Sequence, residues 1–288
     1  MTEKIPYWMS TKCAIKKRGI PPKYTKLTTS QIDEIIKMYE TGAYNYKQIA
    51  AKFNKDDSSI GDVLNKRGYK AKDQSELQRK YAIDEFFFDT IDSERKAYFL
   101  GLLYADGYNN VNNYEISLCL QEKDLHILKA FIDSLQSNRP IGTKIINGAY
   151  YRMVNIGNRR LSLALEDKGC GQAKTFSIRM PYFIPDDLLH HFVRGFFDGD
   201  GCIFVGKEVR SNVRVTFVSN KIFLSDLSLV LIKNAGVNAT KIQPSPNKND
   251  LIGTLQYGGR GNCYKIRAWL YKDATIFLNR KQEKMFSI

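Results

Sequence analysis

The chain has 288 residues, of which 43% are hydrophobic and 26% charged, so a small module plus a core of about 200 residues is expected. No apolar run reaches the length of a membrane span, and the N-terminus lacks the apolar stretch of a signal peptide. We therefore expect a soluble intracellular protein of the cytoplasm, nucleoid or an organelle, with no membrane partner. The net charge of +14 favours a polyanionic partner such as nucleic acid.

Residues 1–26 form a basic arm that either contacts DNA phosphates or is a solvated tail. The five cysteines of the chain are an odd number without a CxxC pair, so they predict neither a zinc site nor a disulfide framework.

Residues 27–68 predict three short helices. Thr28 and Gln31 have the spacing of a capping box, and apolar residues at helical spacing follow them. A tight connection before the third helix predicts a helix-turn-helix module, with a purely structural three-helix bundle as the alternative. The candidate DNA-binding residues on the third helix are Ser58, Ser59, Lys66 and Arg67. Residues 69–91 are interpreted as a charged linker.

An internal repeat dominates the rest of the chain. Residues 99–107 (FLGLLYADG) recur as residues 193–201 (VRGFFDGDG), and each copy is followed by an alternating run, a helix, further strands and another helix. In the first alternating run Ile116 and Leu118 fall on one face, and Glu115 and Ser117 on the other. The repeat predicts two similar lobes, each with an antiparallel sheet, over residues 92–182 and 183–288.

The repeated segment also predicts a chemical site. Gly101 and Gly195 occupy matching positions in apolar helices and would let those helices approach closely, which brings Asp106 and Asp200 together. Each aspartate precedes a glycine suited to a helix C-terminus, the electronegative end of the helix. Two carboxylates placed there favour binding of a divalent cation such as Mg²⁺.

These two segments resemble the signature motifs of LAGLIDADG homing endonucleases, and the resemblance extends over roughly residues 86–288. It implies an α+β fold of two αββαββα lobes forming a saddle over the major groove of double-stranded DNA. It also implies a monomeric, site-specific DNA endonuclease of intron homing, with Mg²⁺ as cofactor and Mn²⁺ as a substitute.

The resemblance further implies the site residues. The metals would be bound by Asp106 and Asp200 together with Gly107 and Gly201. Polar and basic residues around the attacking water would be Gln121 and Asn220, then Lys174 and Lys281, with Arg280 competing for the last position. Tyr104 departs from the motif, which has an aspartate there, so we expect the lobes to be asymmetric.

Further polar residues on or near the strands are either DNA contacts or ordinary solvated side chains: Arg152, Arg210, Arg214, Lys241 and Gln256. Two other functions remain open on this scaffold, a catalytically silent DNA-binding regulator and an RNA maturase. Because the chain lacks the terminal residues of a protein-splicing element, a free-standing or intron-encoded enzyme is expected. The sequence leaves open whether cleavage cuts both strands or stops at a nick.

Overall fold

The computed structural model of the chain describes residues 26–41, 44, 46–69, 81–172, 174–206, 212–244 and 251–288. Two compact units divide the chain between residues 79 and 80. The predicted basic arm therefore lies outside the described residues, apart from Lys26. Among the described helices none is long and apolar enough to cross a membrane.

The first unit is a three-helix cluster. Its helices are α1 (Thr29–Glu40), α2 (Tyr46–Lys52) and α3 (Asp57–Lys66). Their apolar stripes meet in a small core of Ile35, Tyr39, Ile49, Ala50, Ile60 and Leu64. The predicted capping box is confirmed, since the Thr28 side chain accepts from the Gln31 N–H and the Gln31 side chain accepts from the Thr28 N–H at 2.9 Å.

A four-residue turn, residues 53–56, joins α2 to α3. Asn54 lies in the left-handed region at φ 51°, which asparagine tolerates better than most residues. The N-cap of α3 is Asp56, which has an extended backbone.

The second unit contains two lobes of the same topology, as the repeat predicts. The first lobe consists of α4 (Glu94–Asp106), β1 (Gly107–Asn110), β2 (Glu115–Gln121), α5 (Leu125–Ser134), β3 (Gly142–Ile146), β4 (Ala149–Gly157) and α6 (Arg159–Asp167). The second lobe consists of α7 (Leu189–Asp200), β5 (Gly201–Val205), β6 (Val213–Asn220), α8 (Lys221–Ala235), β7 (Ile242–Pro244), β8 (Ile252–Gly258), α9 (Arg260–Leu270) and a final helix, α10 (Asn279–Phe286). This α+β architecture confirms the predicted fold class.

Each lobe has a four-stranded antiparallel sheet, in the order β1-β2-β4-β3 and β5-β6-β8-β7. On β2 the residues Ile116, Leu118 and Leu120 are buried toward the helices, while Glu115 and Ser117 point to the opposite, partly exposed face. This alternation is the predicted one. Cys202, in the matching sheet of the second lobe, is exposed on the open face.

Helices α4 and α7 pack directly against each other at the centre of this unit. A Cβ added to Gly101 would collide with the carbonyl of Phe192, and one added to Gly195 would collide with the carbonyl of Tyr98. The predicted close approach through these glycines is therefore confirmed.

Residues from position 81 onward belong to the second unit, although the sequence assigned residues up to 91 to the linker. Phe87, Phe88 and Ile91 are buried in the core of this unit, and the Asp84 N–H donates to the Leu135 carbonyl at 2.7 Å. The predicted linker therefore extends too far, because its aromatic end is a core segment.

Candidate active site

The paired helices end side by side, and each ends in an aspartate. Asp106 is the last residue of α4 and Asp200 the last of α7, and both are exposed. A Cβ built on Gly199 would lie 3.2 Å from Oδ2 of Asp106, so the backbone preceding Asp200 runs along the Asp106 carboxylate. The structure thus brings the two predicted acids into one site.

The environment of Asp106 is strongly charged. Burial among protein atoms disfavours the charged form of its carboxyl and raises the pKa above the ordinary value, although part of the side chain is open to solvent. The positive charges of Lys281, Lys174 and Arg280 act in the opposite direction.

The glycines after the two acids are required by close packing. Gly107 and Gly201 have extended backbones, with φ −77° and −85°, so no left-handed cap is formed. A Cβ at Gly107 would lie 2.7 Å from the Leu103 carbonyl oxygen, and one at Gly201 would lie 2.5 Å from the Phe197 carbonyl oxygen. Glycine at these positions lets the strand begin directly against the last turn of the helix, where a Cβ would collide with that turn.

A buried lysine binds the end of α7. Nζ of Lys281 donates to the carbonyl of Phe197 at 2.6 Å and to those of Asp198 and Gly201 at 2.7 Å. Burial lowers the pKa of Lys281 to about 8, and the nearby aspartates act against this shift. The ammonium group thus satisfies carbonyls that the helix leaves without partners.

The first lobe has the corresponding lysine in a looser arrangement. Lys174 is only half-buried and donates from Nζ to the Gly107 carbonyl. Both lysines therefore reach the glycine carbonyl after the acid of their own lobe. Those two carbonyls, predicted to lie at the metals, each already accept from a lysine and keep one lone pair.

The polar residues at the ends of β2 and β6 differ in environment. Gln121 is exposed, whereas Asn220 is buried and caps α8 by accepting from the Phe223 N–H at 2.8 Å. The Asn220 amide also donates to the carbonyl of Ile178 at 3.1 Å. These bonds give Asn220 a structural role, and its contact with an attacking water stays a prediction.

Arg280 and Lys281 make different contacts, and which of them lies beside an attacking water stays a prediction. Arg280 donates from Nε to Asp124 at 3.1 Å, and Asp124 is buried in the first lobe. This ion pair links the two lobes, while Lys281 alone reaches the end of α7.

A buried aspartate replaces Tyr104 in the second motif. Asp198 accepts from the Tyr98 hydroxyl and from the Leu278 N–H, both at 2.8 Å. Burial raises its pKa to about 6, and its Oδ1 has no partner among the described residues. Because Leu278 is the N-cap of α10, this contact fixes the helix that carries Lys281.

Tyr104 makes a corresponding contact in the first lobe. Its hydroxyl donates to the Lys168 carbonyl, in the loop that follows α6. The two lobes therefore differ in the chemical nature of this side chain but not in what it does. Tyr104 ties α4 to the loop after α6, and Asp198 ties α7 to the loop after α9.

An ion pair joins the first residue of α4 to the middle of α7. Arg194, fully buried on α7, donates to Glu94 of α4 at 2.5 Å and to the carbonyls of Leu270 and Ile276. Burial acts to raise the pKa of Glu94, but hydrogen bonds from Thr275 and the charge of Arg194 outweigh it and lower that pKa. The pair ties both motif helices to the segment before α10.

The predicted DNA-contacting residues fall on different surfaces. Arg214 and Gln256 lie on the open face of the second sheet, since each is paired in register with a residue of that face. Arg152 is paired with the buried Leu120 and is held by Glu122 at 2.5 and 3.0 Å. This placement argues against a base-reading role for Arg152, because its guanidinium is occupied on the helix side of the sheet.

The other predicted contacts can be placed more briefly. Lys241 is exposed just before β7, and Arg210 lies outside the described residues. In the first unit Ser58, Lys66 and Arg67 are exposed, and Ser59 is half-buried.

The available metal donors are the carboxylates of Asp106 and Asp200. Among the described residues there is no group of three or more His, Cys, Asp or Glu side chains that could hold a metal. Two carboxylates fit Mg²⁺, which keeps several waters and uses phosphate oxygens as further ligands. The donor set is therefore suited to a metal that is completed by a phosphate.

Comparison with known proteins finds a family similarity in the second lobe. Residues 187–267, from just before α7 into α9, match the family model of the LAGLIDADG-like domain. The second lobe is therefore similar to the LAGLIDADG-like domain. The family resemblance is thereby confirmed for this lobe.

A segment of 177 residues is 29% identical to the probable translation initiation factor IF-2 of Thermococcus kodakarensis. That match covers 60% of this chain and 14% of the relative.

The solved structures similar to the chain include two kinds of homing endonuclease. The LAGLIDADG homing endonuclease I-LtrWI bound to target DNA has a TM-score of 0.45 and 10% identity, over 67% of this chain and 89% of its own. Mesophilic variants of the homing endonuclease I-DmoI have a TM-score of 0.44 and 16% identity, over 68% and 98%.

Sequence reasoning missed the residues that hold the second lobe against the first, namely Glu94, Tyr98 and Arg194. One signal was available, because Arg194 is a lone cation in an apolar helix, and such a residue is buried only when it is paired. Its partners, the Glu94 carboxylate and the carbonyls of Leu270 and Ile276, lie far from it along the chain and leave no pattern in the sequence.

Proposed function

We propose that the chain is a metal-dependent, site-specific DNA endonuclease. The observation that supports this most strongly is the pairing of Asp106 and Asp200 at the adjoining ends of α4 and α7, one of which belongs to the LAGLIDADG-like domain. The net charge of +14 suits a phosphate backbone. The similar I-LtrWI structure is of an endonuclease bound to target DNA.

Each residue of the site has a distinct task in this proposal. Asp106 and Asp200 would hold Mg²⁺, which lowers the pKa of bound water and stabilises charge on a phosphate. Lys174 and Lys281 keep the helix ends and the following strands in place and bring positive charge near the scissile phosphates. Gln121, exposed at the end of β2, would orient water.

A single chain would suffice, because both acids belong to one polypeptide. The open faces of the two sheets would lie along the major groove, since a β-sheet face with polar side chains can reach base edges there. The first unit would act as a helix-turn-helix module that adds contacts on one side of the target.

The test is to map the DNA ends produced by the purified chain. Genomic DNA and a randomised duplex library are incubated with Mg²⁺, with Mn²⁺, and with a chelator, and the ends are sequenced. We expect breaks at one defined sequence that require the metal. Tight DNA binding without breaks would favour the regulator, and preferential binding of structured RNA would favour the maturase.

A further inference from the structure

The two sheets carry matched positions on their open faces. In the second lobe, Arg214 of β6 is paired with Phe204 of β5 and with Gly258 of β8. In the first lobe, the same register pairs Glu115 of β2 with Asn110 of β1 and Gly157 of β4. Glu115 lies three residues before Leu118, which is paired with Gly107, and Arg214 lies three residues before Phe217, which is paired with Gly201. Glu115 and Arg214 therefore occupy equivalent positions in the two lobes.

The set in the second lobe is built to present a guanidinium group. The guanidinium carbon of Arg214 lies 4.8 Å from the ring centroid of Phe204, which is itself 46% exposed. This stacking limits the orientations of the group. The Nε of Arg214 is buried without a hydrogen-bond partner among the described residues, and such donors are ordinarily satisfied.

Open space lies beside each charged side chain. A Cβ on Gly258 or on Gly157 would meet no atom within 4 Å, and neither glycine has a positive φ. Neither folding nor backbone conformation therefore requires glycine at these positions. A flat ligand edge approaching the sheet would find room there.

The matched positions carry opposite charges. Glu115 is half-buried and has no ion-pair partner among the described residues. A carboxylate facing DNA is unfavourable unless it accepts from a base amino group, and cytosine N4 is the usual donor. Arginine at the other position favours guanine, whose O6 and N7 it binds in a bidentate manner.

We infer that Arg214 with Phe204 and Gly258 reads a guanine in one half of the target, and that Glu115 with Asn110 and Gly157 reads a cytosine at the symmetry-related position. The target therefore departs from a palindrome at this pair of positions. This inference rests on the proposed function, since it requires the open sheet faces to lie on DNA.

The test is a specificity profile of the mapped target, taken in chelator so that binding is measured without cleavage. Every base pair is randomised, and the bound fraction is sequenced for the wild type, Arg214→Gln and Glu115→Gln. The matched control is Arg267→Gln, because Arg267 is stacked at 4.7 Å on Tyr264 but lies on α9, which packs against the opposite face of the sheet. Thermal melting checks that each variant is folded.

We expect Arg214→Gln to lower affinity for the G·C pair at one position by roughly tenfold or more, and to shift the preference there to A·T, which glutamine binds. Glu115→Gln should change only the symmetry-related position, and Arg267→Gln should change none. Gly258→Ala, which fits the fold without strain, should weaken binding at the same base pair as Arg214→Gln.

A uniform loss of affinity over all positions on Arg214→Gln would overturn the inference, because it would make Arg214 a phosphate contact. An unchanged profile, or no effect of Gly258→Ala, would also overturn it. Absence of sequence-specific binding by the wild type would instead refute the proposed function, and the inference with it.

Discussion

At the scale of single residues, two buried charges determine how the site is held. Lys281 supplies hydrogen bonds to carbonyls at the end of α7, and Asp198 fixes the helix that carries Lys281. Neither contact could be read from the sequence, because Lys281 lies about eighty residues from the carbonyls it binds. The sequence did identify Lys281 by likeness to a family, but as a residue beside water.

Replacing Lys281 with Met should lower the free energy of unfolding by about 2–4 kcal/mol, because several buried carbonyls lose their donor. Urea denaturation measures this. Lys284→Met on the same helix is the control, since Lys284 is exposed and its loss should have little effect. Equal stability of the two variants would refute the capping role.

Asp198 should make stability depend on pH. Its pKa is about 6 in the folded chain and near 3.8 when exposed, so the folded chain binds the proton more tightly. Protonation therefore stabilises the fold, and this contribution is greatest below about pH 4 and is lost as the pH rises through about 6. Asp198→Asn should lack it, so the variant should gain stability relative to the wild type by up to a few kcal/mol between pH 4 and 7. Thermal melts across that range measure the difference, and a constant difference would contradict the account.

At the scale of elements, the pairing of α4 and α7 depends on two glycines. Gly101→Ala and Gly195→Ala should each destabilise the fold by about 1–3 kcal/mol or more, because the new methyl group collides with backbone of the partner helix. Gly261→Ala in α9 is the control, since it meets open space and should stabilise that helix by up to about 1 kcal/mol. Urea midpoints of the three variants decide the matter, and a neutral Gly195→Ala would exclude close packing at this crossing.

The helices and strands of both lobes could be predicted from the internal repeat and from the spacing of apolar residues. Ile116 and Leu118, for example, alternate with polar residues as in a half-buried strand. Arg152 shows the limit of that reasoning. Its spacing from Val154 and Ile156 puts it on the helix side of the sheet, but the sequence does not show that its side chain is partly exposed there and paired with Glu122.

At the scale of the whole molecule, the chain combines a three-helix unit with a two-lobe unit. The boundary could be predicted only approximately, because the aromatic run at residues 86–88 reads equally well as a linker end or as a core segment. Deleting residues 1–79 should leave metal-dependent cleavage intact, but weaken DNA binding and shorten the protected footprint on one side. Nuclease footprinting measures this, and an unchanged footprint would exclude a DNA-binding role for the first unit.

The central claim is that Asp106 and Asp200 form one metal-dependent cleavage site. The most direct test measures binding and cleavage separately at the mapped target, for the wild type, Asp106→Asn and Asp200→Asn. We expect both variants to bind the target with affinity close to that of the wild type in chelator, and to lose cleavage by several orders of magnitude with Mg²⁺. Cleavage retained in either variant would contradict the account, because the paired carboxylates would then not be the groups that hold the metal.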